Sequence, residues 1–307
     1  MSFLKLSKFF LTLSACAFVA SLVLLIVPGP KLSIEFTGGT LMEIRASGKT
    51  KADLENALAS FQTKPALEHV AVSAIKGVSG DSLLMRMRAL SNDEHTALLA
   101  HLKTKLGATA GPEQSRGITE LQFTTIGPTV GASLKGRALE AIAIASVAII
   151  LYLAFAFRKV PRKLSPWKFG ALAVVGFIHD VVVTAGIFVL ISQFTSFEFD
   201  TLFVTALLTI LAYSANDTIV IFDRIRSNLY LETREDFAAT VTRALRECVT
   251  RTFNTSMAAL IMLVTLFFLG SESIRWFIAA LILGTIIGAY SSYFIAAPLL
   301  IYWRKRN

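Results

Sequence analysis

The sequence predicts a membrane-embedded α-helical bundle of six transmembrane helices carrying one extracytoplasmic ferredoxin-like α+β domain. Three observations lead there. Hydrophobic residues make up 54% of the 307-residue chain and charged ones 17%, with a mean hydropathy of +0.62, which excludes a disordered chain and argues against a soluble globule. The apolar residues fall into six runs near 9–27, 138–157, 169–193, 201–222, 253–270 and 276–302. Each is close to the roughly 20 residues that cross about 30 Å of hydrocarbon. One long polar stretch, 28–136, separates the first run from the second, while the other connections are short. The chain therefore divides into 1–27, a cytoplasmic N-terminus with the first span; 28–136, an outer domain; and 137–307, spans two to six with a cytoplasmic C-terminus.

The first run carries no charge and follows Lys5 and Lys8. Leu13-Ser-Ala-Cys16 resembles a lipoprotein cleavage box, but only about five apolar residues precede it, short of the 7 to 15 of a signal h-region. It is read as a span. Arg158, Lys159, Arg162, Lys163 and Lys168 fill the second-to-third loop without an acid, and Arg304, Lys305 and Arg306 end the chain. The positive-inside rule places all three basic clusters in the cytoplasm. Glu198 and Asp200, then Glu272 and Arg275, mark outside loops, so both termini are inside and 28–136 is outside. The net charge of +9 thus encodes topology rather than nucleic-acid binding. Residues 232–251 read either as a surface helix or as the start of span five. Two cysteines, Cys16 in lipid and Cys248 inside, form no disulfide framework.

In the outer stretch, 31–36 and 40–46 read as strands around Gly38-Gly39, and Thr50-Lys-Ala-Asp53 is a capping box opening a helix to Phe61. Strands at 68–76 and 82–88 follow, Ser91-Asn-Asp-Glu94 caps a helix to Leu106, and 117–125 closes as a strand. The order β-β-α-β-β-α-β contains the split βαβ arrangement of ferredoxin-like folds. The stretch offers no His/Cys cluster with metal spacing, no phosphate-cradling glycine loop and no nucleophile elbow, and His69, His95 and His101 read as ordinary surface residues. Contact rather than catalysis is expected of it, with no metal and no cofactor.

Ionisable side chains inside the spans are the sharpest functional signal, since each costs about 2.5–3.5 kcal/mol at the bilayer centre. Asp180, preceded by His179, lies about 16 Å into span three and Asp217 about 24 Å into span four, at 1.5 Å per residue. Arg251 enters span five. Tyr213, Asp217 and Arg224 share one helix face, with Asn216 beside it. The stripe reads as a proton path of carboxylates tuned by a cation; the competing readings are a buried Asp/Arg pair that fixes helix register and, for Arg251, snorkelling to headgroups. Ala280, Gly284, Gly288, Ser292 and Ala296 recur every four positions and allow close packing within the bundle. Gly127-Pro128-Thr-Val-Gly131 reads as a hinge or break before span two.

With Ile34-Glu-Phe-Thr-Gly-Gly-Thr40, Gly127-Pro-Thr-Val-Gly131, His179-Asp-Val-Val-Val-Thr184, Tyr213-Ser-Ala-Asn-Asp-Thr-Ile-Val220 and Phe222-Asp-Arg-Ile-Arg226, the chain resembles the SecD/SecF protein-export family, on its SecF side, over essentially its whole length. Ala212 stands where the family usually has Gly. Ending after span six, the chain looks like a separate subunit rather than a SecD–SecF fusion. The resemblance implies the half-bundle architecture of the resistance-nodulation-division superfamily in the bacterial cytoplasmic (inner) membrane. It further implies a partner SecD, association with YajC and the SecYEG channel, an exported unfolded polypeptide as client, use of the proton gradient and no enzymatic activity. It assigns Asp217 and Arg251 to the proton-coupling group and matches Asp180 to the family's His-Asp motif, so that Asp180 is counted with them as proton-coupling and Asn216, Tyr213 and His179 as supporting polar groups. The alternatives are half of a proton-driven small-molecule or lipid exporter of the same superfamily, or a non-transporting assembly scaffold.

Overall fold

The computed structural model describes residues 3–46, 48–61, 63, 66–67, 70–77, 80–106, 118–157, 166–231 and 236–305. His69, Arg158, Lys159, Arg162, Lys163 and Arg306, and the first residues of the segments read as 68–76, 117–125 and 232–251, lie outside them. The chain splits into two compact units, one Leu32–Arg137, the other Met1–Lys31 with Ala138–Asn307.

The first unit is a four-stranded antiparallel sheet, β1 Gly39–Ala46, β2 Ala71–Gly77, β3 Gly80–Met87 and β4 Ile118–Ile126, in the spatial order β2-β3-β1-β4. Helix α3 (Lys51–Ala59) follows β1 and α4 (Asn92–Leu106) follows β3, which makes the βαββαβ succession of a ferredoxin-like fold. Both helices start where their capping boxes require. Thr50 N–H donates to Asp53 Oδ2 at 2.8 Å and Asp53 N–H to Thr50 Oγ1 at 3.3 Å; Ser91 N–H donates to Glu94 Oε2 at 2.9 Å and Glu94 N–H to Ser91 Oγ at 3.3 Å. The period-2 face of β1 and β3 (Met42, Ile44, Leu83, Met85) meets the i, i+4 face of α4 (Leu98, Leu102, Leu106) and Leu54 and Leu58 of α3 in one core. His95 Nε2 lies 3.0 Å from Glu120 Oε1 and His101 Nε2 3.0 Å from the Ala57 carbonyl.

One predicted strand is not a strand. Leu32, Ile34 and Phe36 alternate as a strand would, but Ser33 accepts from Glu35 N–H at 3.2 Å and Ile34–Thr37 closes into a single helical turn, α2. Gly38 (φ 74°) and Gly39 (φ 133°) then turn the chain into β1, conformations that side chains rarely adopt. A Cβ on Gly38 would sit 2.7 Å from Pro128 Cα, and one on Gly131 2.7 Å from Gly38 N. The two glycine motifs, far apart in sequence, thus close on each other backbone to backbone. The interruption expected over 127–131 is confined to Gly127: Pro128 is already the first residue of helix α5 (Pro128–Ala156), where a missing N–H costs nothing, and Gly131 N–H donates to Gly127 O at 3.0 Å.

The second unit holds α1 (Phe3–Ile26), the greater part of α5 (Pro128–Ala156), α6 (Pro166–Phe194), α7 (Thr201–Leu231), α8 (Phe237–Leu269) and a last span built from α9 (Arg275–Ser291), a π-helical turn (Ser292–Ala296) and α10 (Ala297–Lys305). Among the described residues six spans are long and apolar enough to cross a membrane, and the chain is a multi-pass membrane protein. The helices outrun their apolar runs. Thus α5 begins at Pro128 rather than 138 and α7 continues to Leu231. Because α8 opens at Phe237, the segment before Arg251 is the start of span five rather than a separate surface helix. Hydropathy marks where lipid is, whereas backbone hydrogen bonding continues beyond it. The π turn ends two residues before Pro298, which has no N–H to offer the Phe294 carbonyl.

Small residues set the packing. A Cβ on Gly284 would fall 2.2 Å from Ile210 side-chain carbons of α7, one on Gly288 3.3 Å from Ser214 Cβ, and one on Gly186 of α6 2.3 Å from Ser21 Cβ of α1. Helix α1 is tied to the last span where the Tyr290 hydroxyl donates to the Phe10 carbonyl at 2.9 Å and lies 2.8 Å from Ser14 Oγ. Phe157, Phe169 and Phe222 form one aromatic cluster, and Phe188, Phe197, Phe203 and Trp276 another.

Candidate functional site

The bundle surrounds Asp180 and Asp217 differently. Asp180 of α6 is fully buried. Its Oδ2 accepts Ser214 Oγ of α7 at 2.5 Å and Ser291 Oγ of α9 at 2.7 Å, while Oδ1 lies 3.0 Å from His179 Nδ1. One carboxyl group therefore joins three helices. His179, 7% exposed, stacks on Phe18 of α1 and keeps its buried Nε2 without a hydrogen-bond partner among the described residues. The next polar link is Thr218 Oγ1 to Ser292 Oγ at 2.9 Å, from α7 to the π turn.

Asp217 has no such shell. Half-buried on α7, it lines a cavity of about 40 Å³ with Ser214 and Asn216 of the same helix, Thr255 and Ser256 of α8, and Thr285 of α9. Among the described residues no hydrogen bond or ion pair reaches its carboxylate. The resemblance put Arg251 in one group with Asp217, yet the structure does not pair them: Arg251 is exposed on α8 and makes no ion pair among the described residues. Arg224 leaves the stripe too, donating to Glu247 Oε2 of α8 at 2.6 Å, an oxygen that Asn228 also reaches at 2.8 Å. Tyr213 and Asn216 of α7 line that cavity and, like Arg251 and Asn254 of α8, are exposed in the isolated chain. Sequence reasoning located both aspartates but missed Ser214, Ser291 and the π turn; Pro298 inside an apolar run was the one available sign of the last.

Residues 109–306 match the family model of the C-terminal region of the protein export membrane protein SecD/SecF, and residues 23–49 match the SecD/SecF GG motif, which contains Gly38 and Gly39. Protein translocase subunit SecF of Thermobaculum terrenum is 35% identical over 304 residues, covering 97% of this chain and 92% of that protein. The subunit of the same name from Endomicrobium trichonymphae is 34% identical, covering 91% and 83%. The crystal structure of SecDF, a translocon-associated membrane protein from Thermus thermophilus, superposes with a TM-score of 0.82 at 28% identity over the whole of this chain, which spans 39% of that longer one. Family model, relatives and fold coincide over the polar bundle and the paired glycine motifs, and the chain belongs to the SecD/SecF family of protein export membrane proteins.

Proposed function

We propose that the chain is the SecF-type half of an accessory unit of the Sec translocase that draws on the proton gradient to promote late stages of protein export. It lies in the bacterial cytoplasmic membrane with both termini inside, following the basic loops, and residues 28–136 meet the exported unfolded polypeptide outside. SecD is its partner, a reading supported by SecDF of Thermus thermophilus, 30% identical over 96% of this chain, in which the matched region occupies 37% of the protein. YajC and the SecYEG channel complete the assembly. It needs no cofactor or nucleic acid and catalyses no covalent chemistry. The junction of Gly127, Pro128 and Gly131 with Gly38 is the hinge that passes bundle movement to the outer unit.

The observation that carries this reading is the Asp217 carboxylate, without a hydrogen-bond or ion-pair partner among the described residues, in a polar cavity beside exposed polar groups. Polar groups left against lipid are expensive, so Tyr213, Asn216, Arg251 and Asn254 call for a second half-bundle to cover them, and Arg251 then acts from that interface. A proton crossing the membrane potential releases about 2.3 kcal/mol per 100 mV, the scale of a helix rearrangement worth a few kcal/mol. Asp217→Asn keeps shape and hydrogen bonding but cannot titrate. In inverted vesicles it should assemble normally and abolish gradient-stimulated translocation of a secretory protein. Wild-type stimulation in the variant would defeat the proposal, and dissociation of the complex would make Asp217 a structural residue.

A further inference from the structure

Asp180 is enclosed on every side, yet one of its hydrogen bonds leads toward Asp217. Ser214, whose hydroxyl reaches Asp180 Oδ2 at 2.5 Å, also forms part of the cavity wall around Asp217. A serine hydroxyl has one proton to give and two lone pairs to accept with, so while its proton is committed to Asp180 its lone pairs are free to accept from the cavity. Ser291 donates to the same carboxylate oxygen at 2.7 Å but does not line that cavity. The cavity, about 40 Å³ and walled by hydroxyls, an amide and a carboxylate, exceeds the 10–15 Å³ or so that one water needs. Gly288 leaves Ser214 its place there, since a Cβ would come within 3.3 Å of Ser214 Cβ.

We propose that Ser214 relays a proton between Asp217 and Asp180, which makes the buried Asp180 a second proton-holding residue in series with the first. The inference rests on the proton-coupled reading above. Protonated Asp217 passes its proton through cavity water to Ser214 Oγ as the Ser214 hydroxyl proton moves to Asp180 Oδ2. Ser214 ends unchanged, Asp217 ends as the carboxylate and Asp180 as the acid. Once Oδ2 carries the proton it donates to Ser214 Oγ instead of accepting from it, so that hydrogen bond reverses, while Ser291 donates to a remaining lone pair. Ser291 immediately precedes the π turn, a kind of irregularity common at functional positions, and the acid formed at Asp180 therefore touches the irregular part of the last span.

The test compares serines that touch the same carboxylate. In inverted vesicles bearing the complete complex at matched subunit levels, Ser214→Ala should lower gradient-stimulated export about tenfold or more. Ser214→Thr, which keeps a hydroxyl, should restore part of it, and Ser291→Ala, which removes a hydrogen bond to Asp180 but no relay group, should lose clearly less than Ser214→Ala. If Ser214 and Ser291 merely hold helices together, the two alanine variants will match each other, and that result overturns the relay, as does a wild-type response from Ser214→Ala. Should Ser214→Ala fail to assemble, Ser214→Cys, of similar size and a weaker donor, takes its place under the same outcomes. Asp217→Asn is run alongside. Loss of stimulation there with a full response in Ser214→Ala removes the relay alone, whereas a full response in Asp217→Asn removes the proton role of Asp217 and the relay with it.

Discussion

At the scale of single residues, what decides behaviour is which partners a charged group finds. Asp180 has three and Asp217 none among the described residues, a contrast that the sequence does not carry, because Ser214 and Ser291 are 34 and 111 residues from Asp180 and serines in apolar helices are unremarkable. The cost of ionisable groups in hydrocarbon was enough to find both aspartates; their surroundings needed the folded bundle. The same rule operates in water. In the outer unit the Arg88 guanidinium grips Glu94 through Nη2–Oε1 at 2.5 Å and Nη1–Oε2 at 3.1 Å, and with the Ser91 N–H it lowers the carboxyl from 4.5 to about 2. A folded-state value below the unfolded one stabilises above about pH 4.5, and that contribution is lost as pH falls toward about 2. For a carboxylate with 23% of its side chain exposed we expect about 1–2 kcal/mol after screening. Thermal unfolding of residues 28–136 should therefore show Glu94→Gln destabilised at pH 7 and flatter between pH 5 and 2 than wild type; parallel curves would refute it.

Among elements, local punctuation was readable and long-range closure was not. The capping boxes at Thr50 and Ser91 fixed two helix starts because each satisfies its own backbone within four residues. By contrast Leu32, Ile34 and Phe36 imitated a strand, since the helical turn that leads into Gly38-Gly39 also buries alternate residues, Ile34 and Phe36; Ser33 was the overlooked cap. The pairing of Gly38 with Pro128 and Gly131 joins motifs the sequence presented separately. Gly38→Ala, with a positive φ and a backbone wall at 2.7 Å, should cost about 1–3 kcal/mol, read as a lower unfolding temperature of the outer unit; an unchanged temperature would remove the closure. In the bundle, Gly284 faces Ile210, which is 1% exposed and has no room to retreat. Gly284→Ala should destabilise the detergent-solubilised protein by about 1–3 kcal/mol, and Ile210→Ala in the same chain should recover part of the loss. Additive losses in the double variant would show that the two residues do not meet.

For the molecule as a whole, composition and run length were sufficient for six spans, since nothing else solvates so many apolar residues, and the family follows from motifs spread along the chain. Orientation is a separate prediction. Cys248 is buried, its sulfur 4.0 Å from the Val220 carbonyl, so it is a poor reporter; exposed positions serve better. In a chain lacking both native cysteines, Arg246→Cys should react with an impermeant thiol reagent only in inverted vesicles and Thr104→Cys only in right-side-out ones. The reverse pattern would invert the topology. The central claim, that intramembrane titration at Asp217 is coupled to export, is tested most directly by counting protons: liposomes containing the complex with SecD and SecYEG, a pH-sensitive dye in the lumen, an imposed gradient and a polypeptide held in transit. The account predicts proton flux that rises with the client present, falls to background with Asp217→Asn and returns in part with Asp217→Glu; equal client-dependent flux through wild type and Asp217→Asn would contradict it.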